Sequence, residues 1–457
     1  MQRRSKPMQS TKLAQKFNLP RLLLFVFPTI VMMVFMSLYT SVDGAFVSWL
    51  IGEDALAAVN VVYPVMSVVL ALSLMFTSGA NAIIARMLGE GQPEKARRFF
   101  SLVYIVGTLM GIAATAITLL LMDSLLSLLG ATETLYSYAR EYLTVLCLFA
   151  PMLFLQVGTQ NFFVTEGKPG VGLLVSALGG ITNIVLDYVF IAVFHMGIAG
   201  AALATGIGYM IPGLYGVCYF FVSRKGTLWF AKPEFEGGKL LHTCTNGSSE
   251  LVNNLSVAIT TMLFNLTMLR YAGEGGVAAI TVILYVQFIQ AAIYFGYSQG
   301  IAPVISYKYG AGDKQQLRYV VKTSLWFLLG CSVLVIILSV FGADLAVSLF
   351  IRPGSPVYAL TKRGFLIFSS AYLFMGVNIF LSAMFTAFGN GAVSALLSFL
   401  RTLVFLVGTL LLLPLWLGVD GAWIAVPVAE ALALVVGVIC YRKYRAVYHY
   451  GKEKRNE

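Results

Sequence analysis

Two carboxylates stand where carboxylates are expensive. Asp43 and Asp187 each lie inside a long apolar run. A charged side chain at mid-membrane costs about 2.5–3.5 kcal/mol on insertion scales, so such a group has a partner or a task. Tyr39 stands four residues before Asp43, and Asn183 four before Asp187. That spacing puts each pair on one helix face. Thr205 lies in a third apolar run. Two carboxylates, an amide, a phenol and a hydroxyl can bind a cation in two ways. One acid holds a proton, because adjacent desolvated carboxylates resist full ionisation, or the oxygens coordinate Na⁺. In the plainer reading Asp43 faces water at a loop and Asp187 caps a polar contact between helices. Gln160 and Asn161 are further candidates for the same pocket.

The second half carries different chemistry. Positions 221–222 residues beyond Asp43 and Asp187 hold Phe264 and Thr409. Its buried acids are Glu250, one turn before Asn253 and Asn254, and Glu430; Arg401 is the basic residue in an apolar run. Gln287, Gln290, Tyr294 and Tyr297 recur at i, i+3, i+7 and i+10, which is one helical stripe. It is either a cavity wall for amphipathic cations or a set of interhelical hydrogen bonds.

These residues need elements to hold them. The chain has 457 residues, 59% hydrophobic and 11% charged, against roughly 25% charged in soluble domains. Twelve apolar segments fall near 20–48, 55–84, 99–122, 135–164, 170–194, 198–222, 244–270, 277–306, 319–342, 357–387, 391–417 and 420–441. Each can cross a hydrocarbon core of about 30 Å as a helix. Strict alternation is absent, which excludes the barrel, the other structure that satisfies its backbone in lipid.

Of the 31 basic residues, 25 fall in 1–21, 86–98, 168, 224–239, 308–322 and 442–457. All these loops lie on one side if the segments are twelve spans. By the positive-inside rule that side is cytoplasmic, with both termini on it. The same distribution explains the net charge of +11 without a nucleic-acid partner. Span one then runs outward, and Asp43 is late in it. Asp187 is 17 residues past Gly170, at the inner start of span five, or roughly 25 Å along the helix. Both acids sit in the outer half of the membrane.

The sequence also matches itself. At a shift of 221, Gly89-x-Gly91 with Arg97 lies over Gly310-x-Gly312 with Arg318, and Gly197…Gly200-Ala201 over Gly418…Gly421-Ala422. Leu50–Ala58 lies over Tyr271–Ala279, and Gly167 and Ser176 match Gly389 and Ser398 at 222. Six spans per copy give both copies one orientation, a parallel repeat with its axis along the membrane normal. The expected fold is an all-α integral membrane protein of twelve transmembrane helices in two six-helix lobes. Its parts are an N-terminal segment 1–19, a first lobe 20–222, a linker 223–243, a second lobe 244–442 and a basic tail 443–457.

The ordered set Val42-Asp43…Gly52…Ala57-Ala58, Gly89-Glu-Gly91 with Arg97, Gln160-Asn161…Gly167-Lys-Pro169, Asn183-Ile-Val-Leu-Asp187 and Gly197…Gly200-Ala201 resembles the multidrug and toxic compound extrusion family. The resemblance covers about residues 20–442. It implies two lobes around a V-shaped cavity, and export of organic compounds driven by inward H⁺ or Na⁺. It points to Tyr39, Asp43, Asn183, Asp187 and Thr205 as the cation site, with Gln160, Asn161, Glu250, Gln287 and Tyr294 as cavity candidates. The family often has Arg in the turn before Gly167, where Val164-Thr165-Glu166 stands here. The cytoplasmic end of span four is therefore expected to be held differently.

The alternative within the same superfamily is a flippase or exporter of a lipid-linked saccharide or other metabolite. Flippases usually bring extra spans and more basic residues in the cavity. An enzyme or receptor is a third reading, but no G-x-x-x-x-G-K-[ST] loop, Ser/His/Asp set or metal spacing occurs, and Cys147, Cys218, Cys244, Cys331 and Cys440 form no C-x-x-C pair. The expectations are no cofactor beyond the coupling ion, an organic small-molecule substrate, contact with membrane lipid, a monomer, and a place in the bacterial cytoplasmic membrane.

Overall fold

The computed structural model describes residues 12–451; the ends of the N-terminal segment and of the basic tail lie outside the described residues. The chain is helical, and its spans follow from the need to satisfy every backbone group inside lipid. Among the described residues nine helices are long and apolar enough to cross a membrane, and two bent pairs, Glu133–Cys147 with Ala150–Thr165 and Pro356–Ser369 with Tyr372–Ala387, are one span each. One of the nine, Ser248–Gly310, is two spans joined at Gly273, where φ is 64° and ψ −158°. The total is twelve. Spans one to three are Leu19–Leu50, Glu53–Gly89 and Pro93–Leu120. Spans five and six are Pro169–Val193 and Gly197–Val222. Span nine is Lys314–Phe341, and spans eleven and twelve are Gly391–Leu417 and Val419–Tyr444.

Local chemistry sets the ends. Asn18 Oδ1 accepts from Arg21 N at 3.1 Å with Pro20 in the first turn of span one, a side-chain cap on an otherwise orphaned donor. Ser355 and Asn390 do the same for Tyr358 N and Val393 N.

The internal repeat is visible in the backbone. Spans four and ten bend by 53° and 50°. Pro151 opens the second piece of span four, and Ser369-Ser370 stands at the break in span ten. The paired glycines take paired conformations: Gly167 and Gly389 have φ of 80° and 81°, and Gly197 and Gly418 both have 58°. That region favours glycine because a Cβ crowds the following carbonyl.

The lobes meet through spans one and two of the first and seven and eight of the second. Contact is tight at the end that carries the basic loops. A methyl on Gly89 would collide with the Tyr307 carbonyl, and one on Gly310 with the Arg86 carbonyl. Arg86 and Tyr307 are themselves 221 apart, so this is one contact made twice about the pseudo-twofold. The linker is partly helical: Gly237–Asn246 forms a short helix that packs on span two.

Candidate functional site

Spans one, five and six come close because glycines face one another. A Cβ on Gly179 would sit 2.7 Å from the Gly208 carbonyl oxygen, and one on Gly180 2.7 Å from the Phe35 ring and 3.5 Å from Tyr39 Cγ. One and two turns further along span five are Asn183 and Asp187, which are 1% and 0% exposed. Asn183 Nδ2 donates to Thr205 Oγ1 at 3.3 Å. The Asp43 side chain lies against those of Asp187, Asn183 and Thr205. The structure thus brings the expected set together around the two acids, with Tyr39 on the same packing face.

Several acceptor atoms of the set are left over. Asn183 and Thr205 serve Asp43, while Asp187 has the Asp43 carboxyl as its near neighbour and, among the described residues, no donor from elsewhere on either oxygen. Two desolvated carboxyls side by side favour whatever positive charge is offered, a proton or a hard cation. Immediately after Asp187 the helix widens into a π segment, Tyr188–Val193, a distortion frequent at functional sites.

Two neighbours were not anticipated. Tyr142, on the first piece of bent span four, reaches Thr205 and faces both acids. Tyr209 faces Tyr39 and Asp43 from span six. Tyr209 could have been found, since it is four residues after Thr205. Tyr142 could not, because the bend that aims it has no periodic signature.

Gln160 and Asn161 are buried elsewhere. Gln160 Nε2 donates to Ser176 Oγ at 3.0 Å, and Asn161 Nδ2 to Val157 O at 3.1 Å and Thr77 Oγ1 at 3.3 Å. Ser176 is three helical turns before Asp187, so these amides tie span four to spans five and two, away from the acid pair.

In the second lobe Glu430 is 6% exposed and takes Asn378 Nδ2 on Oε2 at 2.6 Å. Arg401 Nε stands 3.9 Å from Glu430 Oε1, and Glu250 faces Arg401 from span seven. Arg401 lies within a second π segment, Leu400–Phe405. Asn253, Asn378, Ser382, Ser398 and Arg401 line a small cavity between spans seven, ten, eleven and twelve. The span-eight stripe faces span nine: Gln290 Nε2 donates to Ser339 Oγ at 2.8 Å, and Tyr297 Oη to Ser324 Oγ at 2.8 Å. Tyr294 is fully buried between them and packs on Gly376, inside the lobe and off any open wall; Gln287 is half-buried.

Glu166 explains the departure before Gly167. Its side chain is 1% exposed and accepts from Thr227 N at 3.0 Å and Leu228 N at 2.8 Å, with Lys168 Nζ at 3.7 Å. Burial raises its pKa above the usual 4.5, against the lowering effect of those donors. The acid fastens the linker to the end of span four.

A two-lobed bundle of twelve spans with a pseudo-twofold is the architecture of a secondary transporter. The MatE family pattern matches the chain twice, over residues 28–189 and 251–411, and the chain belongs to that family, the multidrug and toxic compound extrusion transporters. It is a transporter and not an enzyme. Multidrug export protein MepA of Staphylococcus saprophyticus is 22% identical over 419 residues, 88% of this chain and 89% of that one. MepA of Staphylococcus aureus is 22% identical over 421 residues, 91% and 92% of the two. An outward-facing structure of a multidrug resistance MATE family transporter of the MOP superfamily superposes with a TM-score of 0.91 at 24% identity, over 98% of this chain and 100% of that one. A MOP superfamily transporter from Pyrococcus furiosus does so at 0.89 and 24%, over 97% and 99%. At that identity the two structures speak for the fold alone.

Proposed function

We propose that the protein exports organic compounds, chiefly amphipathic cations, in exchange for H⁺ or Na⁺, by alternating access between its lobes. The MepA relatives are named as multidrug export proteins, which supports the substrate class. The observation that supports the coupling is the Asp43–Asp187 pair, two desolvated carboxyls in contact with each other and, among the described residues, with no basic side chain against them. Such a pair binds one cation and releases it when the pocket opens to a compartment where that ion is scarce. Asp43, Asp187, Asn183 and Thr205 would hold the ion, and Tyr39, Tyr142 and Tyr209 would wall the pocket. The basic loops support a cytoplasmic position for that end of the bundle, with the acid pair toward the outside, and the staphylococcal relatives support a bacterial membrane.

The flippase reading gains nothing from the second lobe. Its intramembrane cation, Arg401, already has Glu430 and Glu250 beside it, leaving little positive charge for a lipid phosphate.

The test is efflux of a fluorescent organic cation from vesicles under a pH gradient or a Na⁺ gradient, imposed separately. We expect efflux under one of them, lost in Asp43→Asn and Asp187→Asn. Absence of efflux under both gradients sinks the function. Wild-type rates in both variants sink the site.

A further inference from the structure

The cytoplasmic mouth between the lobes holds a piece of chain that belongs to neither. Residues 12–17 precede span one. Lys12–Ala14 make a single 3₁₀ turn, and Leu13 and Phe17 are 0% and 3% exposed. Both belong to one buried cluster that holds Val164 of span four and the core of the second lobe. A Cβ on Gly167, in the first lobe, would sit 2.8 Å from Lys12 Cβ. On the other side Lys308 Nζ, at the end of span eight, donates to Ala14 O at 3.1 Å. Phe17 N donates to Gln316 Oε1 of span nine at 2.8 Å. Lys308 is 3% exposed at its side chain, with Asp313 Oδ2 at 3.6 Å and the Phe17 ring centre at 6.0 Å.

The segment therefore touches both lobes at the end where Gly89 and Gly310 close the interface. The burial breaks the pseudo-symmetry. The stretch 221 residues on, in the linker before span seven, also reaches the opposite lobe, with Glu234 paired to Arg98 of span three at 3.0 Å, but its Phe235 is 79% exposed where Leu13 and Phe17 are buried. A burial-driven contact that spans a moving interface exists in one state and is lost in the other. It stabilises the state in which it forms by its own differential free energy.

We propose that residues 12–17 are a wedge that locks the cytoplasmic ends of the lobes together, with Lys308 as its catch, and that they withdraw when the transporter opens inward. The proposal rests on the alternating-access reading above. When the ends separate, Leu13 and Phe17 lose one wall and the Lys308–Ala14 bond has to break or follow one lobe.

The experiment is a distance measurement by paired spin labels at Gln92→Cys and Gln315→Cys, exposed on opposite lobes at the cytoplasmic face, with the five native cysteines replaced by alanine. Leu13→Asp puts a charge in the wedge pocket; Lys308→Gln removes the catch and leaves the wedge intact. We expect the long-distance, inward-open component to grow about fivefold in Leu13→Asp and about threefold in Lys308→Gln, the scale of losing one buried contact from one of two states. Size exclusion and unchanged helical content show that each variant is folded. An unchanged distance distribution in Lys308→Gln and Leu13→Asp, with wild type still moving on substrate addition, overturns the wedge. No efflux and no movement in wild type would instead sink alternating access itself.

Discussion

The two lobes spend one arginine in the same way and surround it differently. Arg97 Nε donates to Thr227 O at 2.9 Å, and Arg318 Nε to His449 O at 3.0 Å. Arg97 and Arg318 are 221 apart, Thr227 and His449 222 apart, so the linker after span six and the tail after span twelve are docked as one repeated feature. The second fastening differs. In the first lobe the buried carboxylate of Glu166 takes two linker amides. In the second, the matching position is Phe388, whose ring stacks on Tyr448 and Tyr450 at 4.6 and 5.5 Å. The interiors divide likewise, an uncompensated acid pair in the first lobe and an Arg401–Glu430 pair in the second. The duplicated parts are backbone geometry; the parts that diverged are charges. A frame can stay symmetric while only one half carries an unpaired negative site.

The largest effect should come from breaking that difference. Asp187→Asn is expected to lower gradient-driven efflux about tenfold or more, the scale of losing a charged ligand worth ~1.5–3 kcal/mol. Glu430→Gln should keep most of it, because Arg401 and Asn378 already occupy that carboxylate. Equal losses in the two variants would show that both lobes couple. Next come the paired glycines. Gly89→Leu and Gly310→Leu each drive a side chain into a carbonyl of the other lobe, and overpacking of this kind costs about 1–3 kcal/mol. Both should slow efflux by similar factors; a severe effect at one and none at the other would deny the pseudo-twofold at the gate.

Much of this was readable from residue order, and the reasons are physical. Twelve spans are legible because lipid demands long apolar helices. The repeat glycines are legible because their positions force φ above zero or a close approach. The cluster of Asp43, Asn183, Asp187 and Thr205 follows from depth plus a four-residue spacing. Helical periodicity cannot say which wall a polar stripe faces, so Tyr294 fits a cavity or a core equally until span nine is seen against it. Nor does it foresee Glu166 as a linker clasp, since its partners are backbone amides 61 and 62 residues away.

The tail fastening should weigh more in stability than the linker fastening. Phe388 is 2% exposed, and Phe388→Ala removes a buried ring, about 3–5 kcal/mol. Glu166→Ala leaves two amides short of an acceptor, about 1–3 kcal/mol. Thermal melts in detergent rank the two, and the reverse order would mean that the tail is only loosely seated.

The smallest effect separates them by pH. Burial raises the Glu166 pKa above its usual 4.5, so the folded protein holds that proton more tightly than the unfolded chain. Its contribution is then complete below about pH 4.5 and declines as pH rises through the folded value. Gln cannot titrate. The melting temperature of wild type relative to Glu166→Gln should therefore be highest at acid pH and fall as pH rises above 4.5, by a few degrees at most. The same comparison with Phe388→Ala should be flat, since no titrating group is lost. A difference for Glu166→Gln that grows with pH would mean that its donors, Thr227, Leu228 and Lys168, outweigh its burial, and that the linker is clasped by charge.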